Sequence, residues 1–244
     1  YVVQPIFESA KVEKRDSFQV ANSQQIAGLG VVEQTEVAYL LSQQGQVDFY
    51  SVQDGSFGKK LKTLNAELPS DATSFATSAP FQGHYAFGLK DGTVMVVAPK
   101  FLVTFPNNER KLTPRLDFPL GEMALEVDEQ GAAIKRFAFS HYEDRTAVVA
   151  LTEDKRVLFS SFVAEENMFT GEVEWVVERT ELDVEGRVDE LLMSPDTTRT
   201  FVRSANQVYV YDTRDPSDVE QIQLLSANEE NANHSEYLSI NEKQ

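Results

Sequence analysis

The chain has 244 residues, 41% of them hydrophobic and 25% charged, the profile of a globular protein long enough for one large domain. Its formal net charge of −17 repels nucleic acid and anionic lipid, so an anion site would need a local basic pocket. The lack of cysteine excludes disulfides, thiolate metal sites and cysteine nucleophiles, and no apolar run reaches the roughly 18 residues that a membrane-crossing helix needs.

Residues 1–7 are almost wholly apolar or aromatic, and the composition then turns polar without a break. Residues 12–20 are a first candidate strand. From residue 26 a pattern recurs four times. Its segments begin on the small residues Gly30, Ser78, Ser140 and Ser194 and enter an apolar strand seven positions later, at Val37, Tyr85, Ala147 and Phe201. A polar turn follows in each: residues 43–45, 90–92, 153–155 and 204–206. A second strand then starts on valine, at Val47, Val94, Val157 and Val208. Alternation such as "QVYVYD" and "TVMVV" on either side of tight turns is the mark of a β-hairpin, and Asp91-Gly92 supplies the clearest turn, because glycine accepts positive φ.

A short apolar strand precedes each small residue, at residues 26–29, 73–76, 134–139 and 188–193. A fourth candidate follows each hairpin, at 61–68, 101–105, 173–178 and 219–225. Four strands per unit, with anchors 48 to 62 residues apart, predict four-stranded β-propeller blades. Residues 107–130 and 164–171 then read as long connections, and residues 12–20 as an added outer strand for the last blade. A partial fifth blade is also open. The alternative all-β fold is a β-sandwich, which has many short strands but imposes no such repeat. The domain therefore runs from residue 12 to 225, with residues 1–11 before it and a polar tail, 226–244, rich in Asn, Glu and Ser.

The segment "SPDTTRTFVRSANQVYVYDT", from Ser194, resembles the blade consensus of WD40-like propellers, with Tyr211-Asp212 in the place of their closing aromatic-Asp pair. The Gly-His dipeptide of true WD40 repeats is missing from its place, so the likeness is to the wider blade architecture.

Motifs for chemistry are absent. His84, His141 and His234 lack the spacing of a metal site, no Asp-x-Asp-x-Asp-Gly loop occurs, and no P-loop, nucleophile elbow or Gly-x-Gly-x-x-Gly is found. Glu165-Glu166, residues 183–190 and Glu229-Glu230 read as solvated faces. Trp175, the single tryptophan, reads as an anchor in a blade core. Basic residues gather at Lys59-Lys60-Lys62, Arg110-Lys111-Arg115 and Lys11-Lys14-Arg15, read as exposed solubilising groups, with the first two clusters also open as sites for an acidic partner or anion. The expectation is a domain with no catalytic, cofactor or metal site, and not an enzyme.

The opening "YVVQPIFESAKVE" resembles the residues that leave the first transmembrane helix of the long-form permease subunit of gammaproteobacterial phosphate ABC transporters, through Tyr1-Val2-Val3, Pro5-Ile6-Phe7 and Ser9-Ala10. That resemblance implies that residues 1–11 are a juxtamembrane remnant. It implies a periplasmic interaction or regulatory domain held to the inner membrane by the rest of the same chain. Its partners would be the periplasmic phosphate-binding protein and other transporter subunits, with no catalysis of its own. Two alternatives remain open: a free-standing propeller scaffold of the assembly-lipoprotein type, and a ligand-binding or hydrolytic propeller.

Overall fold

The computed structural model describes residues 2–6, 9–13, 17–19, 26–42, 44–65, 69–78, 83–117, 124–166, 168 and 173–224. It opens with an antiparallel hairpin, β1 (Val2–Ile6) and β2 (Ser9–Glu13). Four antiparallel sheets follow in chain order. Blade I is β3 (Ile26–Val32), β4 (Val37–Ser42), β5 (Gln46–Ser51) and β6 (Lys60–Asn65). Blade II is β7 (Ala72–Thr77), β8 (Tyr85–Leu89), β9 (Thr93–Thr104) and β10 (Lys111–Asp117), with β11 (Leu125–Glu126) also on β9. Blade III is β12 (Ile134–Tyr142), β13 (Arg145–Thr152), β14 (Val157–Glu166) and β15 (Val173–Leu182). Blade IV is β16 (Val188–Met193), β17 (Arg199–Ser204), β18 (Gln207–Asp212) and β19 (Val219–Gln223). Each strand pairs with the next in sequence, which is the meander of a propeller blade.

The hairpins close as the sequence predicts, because each turn holds a residue in the left-handed region. The first-to-second strand turns use Glu36, Gly83, Glu143 and Thr197, and the second-to-third turns use Gly45, Gly92, Lys155 and Ala205. The small anchor residues also have a steric reason. At Gly30 an added Cβ would lie 2.2 Å from the Tyr39 hydroxyl, so the inner strand could not cross the blade's own aromatic core.

Alternation along the strands sends one face of each blade toward its neighbour. Val37, Tyr39, Leu41, Val47 and Phe49 of blade I pack against Tyr85, Phe87, Leu89 and Val97 of blade II. The opposite face of blade II gives Val94 and Val96 to Phe139, Val148, Leu158 and Phe162 of blade III. Blade III in turn gives Val149, Val157 and Phe159 to Val202, Tyr209 and Tyr211 of blade IV. Burying each Val or Phe side chain stabilises by roughly 1.5–3 kcal/mol, so these three interfaces hold the stack of blades together. Among the described residues no such core joins blade IV to blade I, so the described blades are stacked as an open arc. Consistent with that, Leu29 on the outward face of blade I is 61% exposed and Leu192 on that of blade IV 53%.

Three expectations need correction. Residues 101–105 are not a separate outer strand; residues 101–104 continue β9, and the outer strand is β10, inside the segment read as a connection. Asp117 faces Ala98 and Leu125 faces Val94, so β10 and β11 pair with successive stretches of β9. Of the second expected connection, residues 164–171, the first three continue β14, which pairs with β15 as far as Glu166–Val173. The outer strand of blade IV is its own β19, while Val12 and Glu13 pair with Val3 and Val2 in the opening hairpin.

Candidate interaction face

The meander gives the arc two ends. One carries the first-to-second and third-to-fourth strand turns; we call it the arm end, because two blades project there. β9 and β10 run seven residue pairs beyond the start of β8, from Ala98–Asp117 to Thr104–Lys111. β14 and β15 run past β13 as far as the Glu166–Val173 pair. The other end carries the second-to-third turns and the blade-to-blade links; we call it the link end.

Large exposed apolar side chains concentrate at the arm end. Phe57 lies in the β5–β6 turn, Leu102 and Phe105 on the β9–β10 arm, Tyr142 at the β12–β13 turn, and Met168 and Trp175 on the β14–β15 arm. Phe105 is 63% exposed and Met168 94%. Trp175 is thus not the core anchor that the sequence predicts, because β15 carries it past the end of β13, where no second strand backs the arm. The β9–β10 arm is also fastened to blade I. The Arg110 guanidinium donates to the Thr35 carbonyl at 3.3 Å and to Gln53 Oε1 at 3.3 Å, and lies 3.6 Å from Glu36 Oε2. Phe18 packs on Tyr50 and Phe57 of the same region, with ring centroids 5.2 and 5.4 Å apart.

The link end is instead laced by charge. The Asp128 side chain, 2% exposed, accepts both terminal nitrogens of Arg156, at 3.0 and 2.7 Å, and the N–H groups of Gln130 and Ala132. Burial alone would raise the Asp128 carboxyl, but Arg156 and the two N–H groups outweigh it and hold the group below the usual carboxylate range. Arg156 also reaches Asp154 at 2.7 Å, and Arg179 reaches Glu126 and Glu129 at 3.0 and 2.9 Å. These contacts join blade II's outer strand and link to blade III. The side chains are spent on the fold.

The two described histidines, 57 positions apart in the chain, meet at the arm end between blades II and III. Their ring centroids lie 5.2 Å apart, edge to face. His141 Nδ1 lies 2.8 Å from Thr146 Oγ1, whereas His84 Nδ1 is buried with no hydrogen-bond partner among the described residues. Burial pushes the His84 imidazole down to about 3, with His141 and then Lys100 acting the same way. Burial, then Lys100, also lowers His141, against Asp144. Sequence spacing showed only that these histidines lack a metal-site pattern and missed the pair, because blade stacking alone brings them together. His234, Glu229, Glu230 and the basic residues Lys14 and Arg15 lie outside the described residues.

Lys59, Lys60, Lys62, Arg110, Lys111 and Arg115 are all exposed, and β6 and β10, which carry most of them, are neighbouring outer strands. Lys60 pairs with Asp48 at 2.8 Å. Glu165, Asp183, Glu185 and Glu190 are exposed, as expected of solvated faces. Among the described residues no group of three His, Asp or Glu side chains is placed to hold a metal ion, and no helix is long and apolar enough to cross a membrane.

Neither a family model nor a curated protein sequence matches the chain. Among solved structures, it is similar to the WD40 domain of SCAP from fission yeast, with a TM-score of 0.49 and 9% identity over 82% of this chain and 42% of that one. The chain spans less than half the length of that structure, and the blade assignment rests on its own strand order: four four-stranded antiparallel meanders packed face to face.

Proposed function

We propose that this domain is a non-catalytic docking module, and specifically the periplasmic interaction domain of a phosphate ABC transporter permease. The observation that carries the docking role is the arm end. The two arms hold Leu102 and Trp175 on paired strands and Phe105 and Met168 in the turns beyond them, all exposed to water, where apolar groups at one end favour association with another protein. The transporter assignment rests on the opening residues Tyr1-Val2-Val3 and Pro5-Ile6-Phe7, and on an acidic chain suited to protein rather than nucleic-acid partners. In that setting the permease's membrane helices anchor the domain, and the domain presents its arm end to the phosphate-binding protein or another periplasmic subunit.

Calorimetric titration with the periplasmic phosphate-binding protein tests the reading. Saturable binding that weakens in Phe105→Ser supports it. No heat at high micromolar concentrations of both proteins overturns the transporter assignment. A reading frame without apolar helices beside this segment overturns it as well.

A further inference from the structure

The two projecting arms belong to adjacent blades, and strand alternation settles which of their faces look toward each other. On β9, Val94 and Val96 point into the core shared with blade III, so Ala98, Lys100 and Leu102 continue that face along the arm. Their cross-strand partners on β10 are Asp117, Arg115 and Thr113, and Lys111 stands opposite Thr104 on the same face. On β15, Val177 packs against that same core and Arg179 reaches back to Glu126 and Glu129 of blade II, so Trp175 lies on the face that looks toward blade II.

The side walls of the space between the arms are thus unlike. Blade II presents three cations, Lys100, Lys111 and Arg115, around Leu102, with Asp117 the one acid on that strand face. Blade III presents an aromatic ring. The base holds the His84–His141 pair, close enough to Lys100 for its charge to act on both rings. There His84 Nδ1 is buried without a hydrogen-bond partner among the described residues, so the pair forms an uncharged floor beneath the cations. In a chain of net charge −17, three cations on one strand-pair face stand out against the rest of the surface.

We propose that the space between the β9–β10 and β14–β15 arms binds an extended acidic segment of a partner protein, with carboxylates on Lys100, Lys111 and Arg115 and an apolar side chain between Leu102 and Trp175. Charge complementarity selects the acidic segment, and the paired apolar groups select against a bare small anion. The proposal deepens the docking role and does not depend on which membrane system the domain serves.

Trp175 is the only tryptophan in the chain, so its fluorescence reports on the site directly. The probe is a synthetic peptide alternating glutamate with leucine, titrated into the whole domain beside its glutamine–leucine counterpart and inorganic phosphate. The expected result is a saturable change in Trp175 emission with the glutamate peptide. That affinity should fall with added salt and drop about tenfold in Lys100→Gln and in Arg115→Gln, with unchanged thermal unfolding. An equal response to the glutamine peptide overturns the proposal, as does binding that both substitutions leave unaltered. Displacement of the peptide by millimolar phosphate alone also overturns it, since that marks a small-anion site. If the peptide binds while the phosphate-binding protein does not, the site stands and the transporter assignment falls.

Discussion

The arm end and the link end are made from the same strands, yet one exposes apolar groups and the other uses its polar groups up. At the link end the chain passes from blade to blade, so buried polar groups there must find partners within the fold, and Asp128 does so through Arg156 and two N–H groups. At the arm end the chain only turns back on its own blade. A hairpin can therefore lengthen without disturbing a neighbour, as β9–β10 and β14–β15 have done. The end free of connections is the end free to acquire a binding role.

Breaking the link end should have the largest effect. Arg156→Ala leaves the Asp128 carboxylate buried without its cation, and we expect a loss of about 3–5 kcal/mol in chemical denaturation. Adding Asp128→Asn should recover part of it. A loss below about 1 kcal/mol would show that the two ends do not differ in this way.

The histidine pair makes the arm end's stability depend on pH. His84 has a native value of about 3 against an ordinary 6.5. Between those values the unfolded chain takes up a proton that the native state refuses. The stability is therefore complete above about pH 6.5 and declines as the pH falls toward 3. At pH 4.5 the decline is about 2–3 kcal/mol. His84→Leu should lack that component, so the drop in stability between pH 7 and 4.5 should be smaller by that amount. Equal drops in the two proteins would remove the pair from the account.

The interior between the two ends offers a finer comparison. The Tyr39 hydroxyl is buried between blades I and II without a hydrogen-bond partner among the described residues, and burial, then the nearby Tyr85, raises its pKa. Removing an unsatisfied polar atom relieves its desolvation cost, so Tyr39→Phe should leave stability unchanged or raise it by up to about 1 kcal/mol. A clear loss in a thermal melt would reveal a hydrogen bond to the hydroxyl.

The smallest effect belongs to the arm tip. Phe105→Ser removes a ring that is already 63% in water, and stability should stay within about 0.5 kcal/mol in the same melts. Its effect should fall on partner binding alone.

How legible these features were depended on their range. The hairpins β4–β5, β8–β9, β13–β14 and β17–β18 were readable because alternation and turn chemistry act over a dozen residues. β10 was not, since Pro114 sits inside it and proline argues against a strand. On an outermost strand a missing N–H can point away from the sheet at little cost, and this edge carries it. The basic run Arg110-Lys111-Arg115 was visible, but its division was not: strand pairing sends Lys111 and Arg115 to the blade III side, while Arg110 is held by Thr35 and Gln53 of blade I. The exposed Leu102 and Phe105 fell inside residues 101–105, which read as a separate outer strand rather than as the overrun of the strand before it.

The sequence by itself determined four strands per unit, the recurrence of that unit, and the lack of a motif for catalysis or metal binding. These follow from residue periodicity and spacing, which are local. Only the tertiary structure decided which strands overrun their blades, that His84 meets His141, and that Trp175 is exposed on an arm. Those relations join residues on different blades, and they exist only once burial of the inter-blade apolar faces has stacked one sheet on the next.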